Sequence, residues 1–163
     1  MKLKVLELFA GIGTQRMALR NIGVNHEVIA IAEIDKFAIN SYESIHDDDN
    51  HKTVNLFDVS KITEDELKKY NLNECDLLTY SFPCTDISVA GQQMGFEKGS
   101  GTSSSLLWEC ERIIRRFKPK YLLMENVKNL VGKKFKQGFD EWLEILSDMG
   151  YTNYWQVLSG RVK

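Results

Sequence analysis

Short apolar runs of strand length alternate along the chain with segments whose apolar residues recur at helical spacing. Lys4–Phe9 predicts a first strand, followed by a glycine turn and a helix from about Thr14 to Asn21. His26–Ile34 predicts a second strand and Lys36–Ile45 a helix. Thr53–Leu56 predicts a short third strand, and Thr63–Tyr70 a short helix whose Thr63-Glu64-Asp65-Glu66 opening has the form of a capping box. Asp76–Tyr80 predicts a fourth strand, after which a long segment, 81–102, leads to a helix over Ser104–Phe117. Tyr121–Met124 predicts a fifth strand, Phe135–Met149 a last helix, and Tyr154–Leu158 has the composition of a sixth strand. Strict alternation of strands and helices predicts an α/β fold, a doubly wound and mostly parallel sheet covered on both faces. No repeat, low-complexity tract or linker breaks the pattern, so a single domain over 1–163 is expected.

Composition narrows the class. The 163-residue chain can bury one real core and is too short for two. With 43% hydrophobic and 27% charged residues and only two prolines, disordered, collagen-like and mucin-like classes are excluded. No apolar run approaches the roughly 18 residues of a membrane helix, so no membrane partner is expected. Glu7 interrupts the short apolar stretch at the start, which argues against a secretory leader. Three cysteines without a close pair fit a reducing, cytoplasmic setting.

Charge is informative by position. The formal net charge of −2 predicts no general attraction to nucleic acid. Residues 112–136, however, carry nine Lys or Arg against one acid, while residues 27–76 carry thirteen acids against five bases. This polarity is either a polyanion-attracting side or a set of solvated helix and loop faces.

Open parallel sheets bind ligands where the loops gather at the carboxyl ends of the strands. Four junctions there carry polar, glycine or cysteine residues: Phe9–Thr14, Glu33–Asp35, Ser81–Thr85 and Glu125–Val127. In Phe9-Ala10-Gly11-Ile12-Gly13-Thr14, the two glycines permit either a close approach to a ligand or simply a tight connection. A dinucleotide fingerprint would place a third glycine where Arg16 stands, which disfavours an NAD enzyme and suits a nucleoside without a pyrophosphate. Glu33 is placed to accept from ribose hydroxyls, and Asp35 to cap the following helix. Asp58 suits either an adenine amino group or a turn cap. In Phe82-Pro83-Cys84, Pro83 stops the strand ladder and sets Cys84 beyond the sheet edge, where a thiolate nucleophile would be useful. Gly91, Gly95, Gly99 and Gly101 follow it and permit a lid. The fourth and fifth strands are expected to be neighbours, which would bring Glu125 and Cys84 to one pocket; Asn126 would fix the backbone there or cap a helix. Cys75 and Cys110 read as buried and inert. His26, His46 and His51 lack ligand spacing, and Asp47-Asp48-Asp49 lacks the other features of a calcium loop, so no metal is expected.

Together, Phe9-Ala10-Gly11-Ile12-Gly13, Glu33, Asp58, Phe82-Pro83-Cys84 and Glu125-Asn126-Val127 resemble the DNA cytosine methyltransferases that modify carbon 5, in order and over nearly the whole chain. The resemblance implies a Rossmann-like fold that binds S-adenosylmethionine and acts on double-stranded DNA, as in restriction-modification systems. It implies that Phe9 stacks on adenine, that Glu33 holds the ribose with Ile34 beside it, and that Asp58 and Val59 meet the adenine edge. The Gly11–Gly13 backbone, with Ile12, would approach the methionine moiety, and Ala10 would be among the cofactor-binding residues. Cys84, with Pro83, would add to a flipped-out cytosine, and Glu125 with Asn126 would hold its heterocycle edge. Thr85 replaces a common glutamine, and Ser103 stands where the family usually carries arginine in a motif like Gly101-Thr102-Ser103-Ser104-Ser105-Leu106-Leu107. The family's target-recognition region is not found before Lys163, so the fold is expected to be incomplete at its carboxyl end and to need a complementing carboxyl-terminal polypeptide. The alternative is an S-adenosylmethionine-binding module or remnant without turnover.

Overall fold

A computed structural model describes residues 1–83 and 106–158. Cys84, the four lid glycines, Thr85 and Ser103 lie outside the described residues. The described residues group into two compact units, one of Met1–Pro83 with Leu106–Glu125 and one within Asn126 to Leu158.

The first unit is built on four strands, β1 (Leu3–Leu8), β2 (His26–Ala32), β3 (Leu77–Tyr80) and β4 (Tyr121–Met124), in the order β2-β1-β3-β4 with every pairing parallel. Its helices are α1 (Thr14–Asn21), α2 (Lys36–His46), α3 (Glu64–Lys69) and α4 (Leu107–Phe117). The second unit carries α5 (Lys136–Asp148) after a short 3₁₀ turn over Lys128–Val131. These boundaries agree with the hydrophobic pattern to within a few residues, and β3 and β4 are neighbours as expected. The α/β, parallel-sheet class read from the pattern is the one observed.

Burial explains why β1 is central. Val5, Leu6, Glu7 and Leu8 are all buried, and all four residues of β3 are buried, as strands flanked on both sides require. Val5, Ala10, Leu19, Val28, Ile31, Tyr42 and Leu77 form one apolar cluster joining α1 and α2 to the sheet. Helix ends follow local chemistry. Asp35 caps α2 by accepting from the Phe37 and Ala38 amides at 2.9 and 2.8 Å, and Thr63 caps α3 by accepting from the Glu66 amide. Gly23 after α1 and Gly150 after α5 take the left-handed conformation, and the amides around them return to carbonyls of the last helical turn.

Two expected strands are not formed. Thr53–Leu56 makes a single parallel bridge, Asn55 to Ile31, held by Ile31 N–H to the Val54 carbonyl and Leu56 N–H to the Ile31 carbonyl. The run stops there because Thr53 is tied to Asp47 and Phe57 turns to a positive φ of 59°. Tyr154–Leu158 is no strand either. Asn153 donates to the Leu143 carbonyl and Ser147 hydroxyl, and the Trp155 ring meets Phe139 edge-on at 5.6 Å, so this stretch is tied to α5. Tyr154 is left 90% exposed.

One buried residue contradicts the apolar pattern. Glu7, in the middle of β1, is 1% exposed. The Tyr42 hydroxyl donates to its Oε2 at 2.6 Å, and Arg16 donates to the Tyr42 oxygen at 3.1 Å, while Oε1 has no partner. Burial raises the Glu7 carboxyl above its ordinary range, against the opposing pull of the Tyr42 bond and Arg16. An acid raised on folding contributes stability at low pH that is lost as pH climbs through the raised value. In thermal unfolding, the wild type is therefore expected to lose stability relative to Glu7→Gln on going from acidic to neutral pH. Parallel stability profiles for the two proteins would contradict the assignment.

Candidate functional site

The parallel register sets the strand ends level. Leu8 pairs with Ala32 on one side and with Tyr80 on the other, and Tyr80 pairs with Met124. The next residues, Phe9, Glu33, Ser81 and Glu125, therefore emerge along one edge of the sheet. The Glu125 amide extends the ladder by one rung to the Tyr80 carbonyl, at 3.2 Å. The strand order reverses direction between β1 and β3, where parallel sheets open a crevice.

The glycine turn fills that position. Phe9, Gly11 and Gly13 all have positive φ, at 55°, 55° and 77°. A bulky residue held there costs about 1–3 kcal/mol, and such strain concentrates at functional turns. Gly13 N–H bonds to the Ala10 carbonyl at 2.9 Å and closes the turn directly before α1. Ile12 is exposed at its tip, and Ala10 is buried beneath it.

Glu33 organises the edge. Its Oε2 accepts from the Gly11 amide, and its Oε1 from the Ile34 and Asp35 amides, each at 2.8 Å. A carboxylate offers about four acceptor positions, so roughly one remains for a ligand hydroxyl. Asn55, which sequence reasoning did not single out, accepts from the Glu33 amide and donates to the Glu33 carbonyl, at 3.2 and 3.0 Å. Its carbonyl also accepts from the Phe57 amide. Another unforeseen link joins α1 to the end of β3: Gln15 Nε2 donates to Ser81 Oγ at 2.7 Å.

Asp58 is engaged locally. Its Oδ1 accepts from the Ser60 amide and hydroxyl, and its Oδ2 faces Lys61, capping a 3₁₀ turn over Val59–Lys61. The Ser60 bonds hold the Asp58 carboxyl below its ordinary range. Val59 is buried, and Arg112 from α4 donates to the Val59 and Ile62 carbonyls at 2.8 Å each, fastening the turn. Around these polar groups stand exposed apolar side chains, Ile34 at 69% and Phe57 at 56% exposure.

Phe82 is buried and Pro83 half-buried in the first unit, Glu125 is exposed there, and Asn126 belongs to the second unit, where its Oδ1 accepts from the Val127 amide. Cys75 and Cys110 are buried, and burial pushes their thiols up, Cys75 to about 12, so neither is a nucleophile at neutral pH. Four of the nine bases in the basic run are engaged by neighbours: Arg112 by two carbonyls and Glu109, Arg115 by Glu111, Arg116 by Glu64, and Lys136 by Asp140. Among the described residues no His, Cys, Asp and Glu group could hold a metal, and no helix is long and apolar enough to cross a membrane.

The two glycines make different demands. A Cβ on Gly13 would lie 2.3 Å from His46 Nε2 and 2.7 Å from a Tyr42 ring carbon, whereas one on Gly11 would enter open space. Gly11→Ala thus adds only left-handed strain, about 1–2 kcal/mol. Gly13→Ala adds overlap as well and is expected to cost about 2–5 kcal/mol. Equal losses in denaturant titrations would contradict this geometry.

The sequence pattern of the family described as C-5 cytosine-specific DNA methylase matches residues 3–161. The type II methyltransferase M2.ScrFI of Lactococcus lactis subsp. cremoris is 39% identical across 98% of this chain and 56% of its own length. The orphan methyltransferase M.SssI of Spiroplasma monobiae is 35% identical across 97% of this chain and 55% of its own. The chain thus spans about half the length of these curated relatives. Among solved structures, the S. pombe Dnmt2 methyltransferase superposes with a TM-score of 0.64 at 20% identity, over 91% of this chain and 41% of that one, a likeness of fold. On its matched span and these relatives, the chain belongs to the C-5 cytosine-specific DNA methylase family.

Proposed function

We propose that this chain is the catalytic portion of a DNA cytosine-5 methyltransferase that takes its methyl group from S-adenosylmethionine and works with a complementing carboxyl-terminal polypeptide. The observation that carries the reading is the level row of strand ends, with the Phe9–Gly13 turn bonded to the Glu33 carboxylate at the crevice between β1 and β3. The residues present fit a nucleoside: a carboxylate with one free acceptor position, exposed Ile34 and Phe57 for an apolar base, and glycine backbone open to close approach at Gly11.

When bound, S-adenosylmethionine would supply an electrophilic sulfonium methyl. Glu33 would accept a ribose hydroxyl, and Phe9, Ile34 and Val59 would line the base. Asp58 would reach the adenine edge through Oδ2, the oxygen its Ser60 bonds leave open, at the expense of its Lys61 pair. Ala10, Gly11, Ile12 and Gly13 would flank the methionine end.

Cys84, as thiolate, would add to carbon 6 of a cytosine flipped out of double-stranded DNA, and Pro83 would keep the strand from running past it. Glu125 would hydrogen-bond the ring N3 and amino group and support the electron-rich adduct, while Asn126, next in the chain, holds the Val127 amide. Carbon 5 then takes the methyl as carbon nucleophile. Loss of its proton and expulsion of the Cys84 thiolate restore the aromatic ring.

The test is to mix the chain with a carboxyl-terminal polypeptide from a family member, add S-adenosylmethionine and duplex DNA, and assay 5-methylcytosine by mass spectrometry. Methylated DNA is expected, abolished by Cys84→Ser and lowered about a hundredfold or more by Glu125→Gln. Cofactor binding without methylation in every mixture would instead establish a binding module without turnover.

A further inference from the structure

Beneath the glycine turn lies a polar cluster that the proposed chemistry does not use. His46, the last residue of α2, bonds through Nε2 to the Ile12 carbonyl at 3.1 Å. A carbonyl only accepts, so Nε2 carries a proton, and in the neutral ring Nδ1 is then bare. That Nδ1 is buried and has no hydrogen-bond partner. The same ring occupies the space that any side chain at position 13 would need, with Nε2 only 2.3 Å from an added Cβ. Tyr42 stacks obliquely on it at 4.5 Å, and Arg16 reaches the Tyr42 hydroxyl, the Thr53 hydroxyl and the His46 carbonyl.

We infer that His46 is a positioning residue: its neutral imidazole, donating from Nε2 to the Ile12 carbonyl and filling the space over Gly13, holds the glycine turn in its ligand-receiving shape. This rests on the reading of that turn as the S-adenosylmethionine site. Glycine at 11 and 13 leaves the turn with little conformational preference of its own, so an external tether has to fix it.

Protonation would work against this arrangement. It would place a second N–H at buried Nδ1 without an acceptor, and a positive charge beside Arg16 and Arg20 of α1. The other polar or charged groups around the ring are already committed. Tyr42 is bonded to Glu7 of β1, and the Asp47 carboxylate to Thr53. Burial, with the two arginines, lowers the His46 pKa from its ordinary value against the opposing pull of the Ile12 carbonyl bond, so the neutral ring prevails at neutral pH and is lost on acidification.

The test compares S-adenosylmethionine affinity across pH for the wild type, His46→Gln and His46→Phe. Gln keeps an Nε2 donor, whereas Phe keeps a ring without one. The expected result is about a tenfold loss of affinity in His46→Phe, near-recovery in His46→Gln, and an acid-side fall in wild-type affinity that His46→Gln lacks. A ligand-independent arm records the imidazole nitrogens of the wild type by NMR and the amide exchange of Gly13 and Thr14. The Nε2–H tautomer is expected, with faster exchange in His46→Phe. An Nδ1–H tautomer, or unchanged exchange in His46→Phe, overturns the inference whether or not ligand binds. Unaltered affinity in both variants overturns it too. A wild type that shows the tautomer and the exchange difference but binds no S-adenosylmethionine overturns the cofactor reading instead.

Discussion

The carboxylate of Glu33 accepts three backbone amides, one from the turn after β1 and two from the turn after β2. Charge-assisted bonds to backbone N–H are among the stronger ones available to a protein. Here they bind two strand-to-helix turns into one edge. The arrangement depends in turn on the parallel register that makes Leu8, Ala32 and Tyr80 level, and on Asn55, which holds the Glu33 backbone from both its amide and its carbonyl. The strain of Phe9 at positive φ persists because the turn is fixed from both sides in this way.

Below that edge the molecule accepts an unfavourable core. Glu7 is buried with one oxygen unpartnered, and the Arg16–Tyr42–Glu7 chain of hydrogen bonds replaces what would be ordinary apolar packing under β1. A half-satisfied polar network is costly in stability. Its return is geometric: it brings α1 and α2 to fixed places, and with them His46 to the Ile12 carbonyl. Arg112 does similar work at the Val59–Lys61 turn, reaching across from α4 to two carbonyls. Polar side chains bonded to backbone thus shape the edge together with the apolar cluster that joins α1 and α2 to the sheet.

Much of this could be read from the sequence because its causes are local. The alternation of apolar runs placed all four strands of the sheet, and Asp35 before Lys36 and Thr63 before Glu64 announced their helix starts. The glycine turn and Glu33 stood out as polar and glycine residues directly after apolar runs. What escaped was long-range. Thr53–Leu56 has strand-like residues, but Asp47, Arg16 and Glu33 claim Thr53 and Asn55 and reduce the pairing to one bridge. Tyr154–Leu158 is apolar enough for a strand, yet Asn153 and Trp155 commit it to α5. Glu7 looked like an interruption in an apolar run, when an acid inside a central strand was itself the signal of a buried partner. The basic run of 112–136 exaggerated the free positive charge, since the acids that neutralise several of its members come from helical neighbours and from α3.

The central claim is that the Glu33-organised edge is where the cofactor's nucleoside is held. It is tested most directly by calorimetric titration of S-adenosylmethionine into the wild type and Glu33→Gln, each with and without a complementing carboxyl-terminal polypeptide and each shown to be folded by circular dichroism. The account predicts saturable binding to the wild type that Glu33→Gln weakens about tenfold or more, since the amide has fewer acceptor positions to divide between backbone and ribose. Equal affinity for the two proteins, or no binding by the folded wild type under either condition, would contradict it.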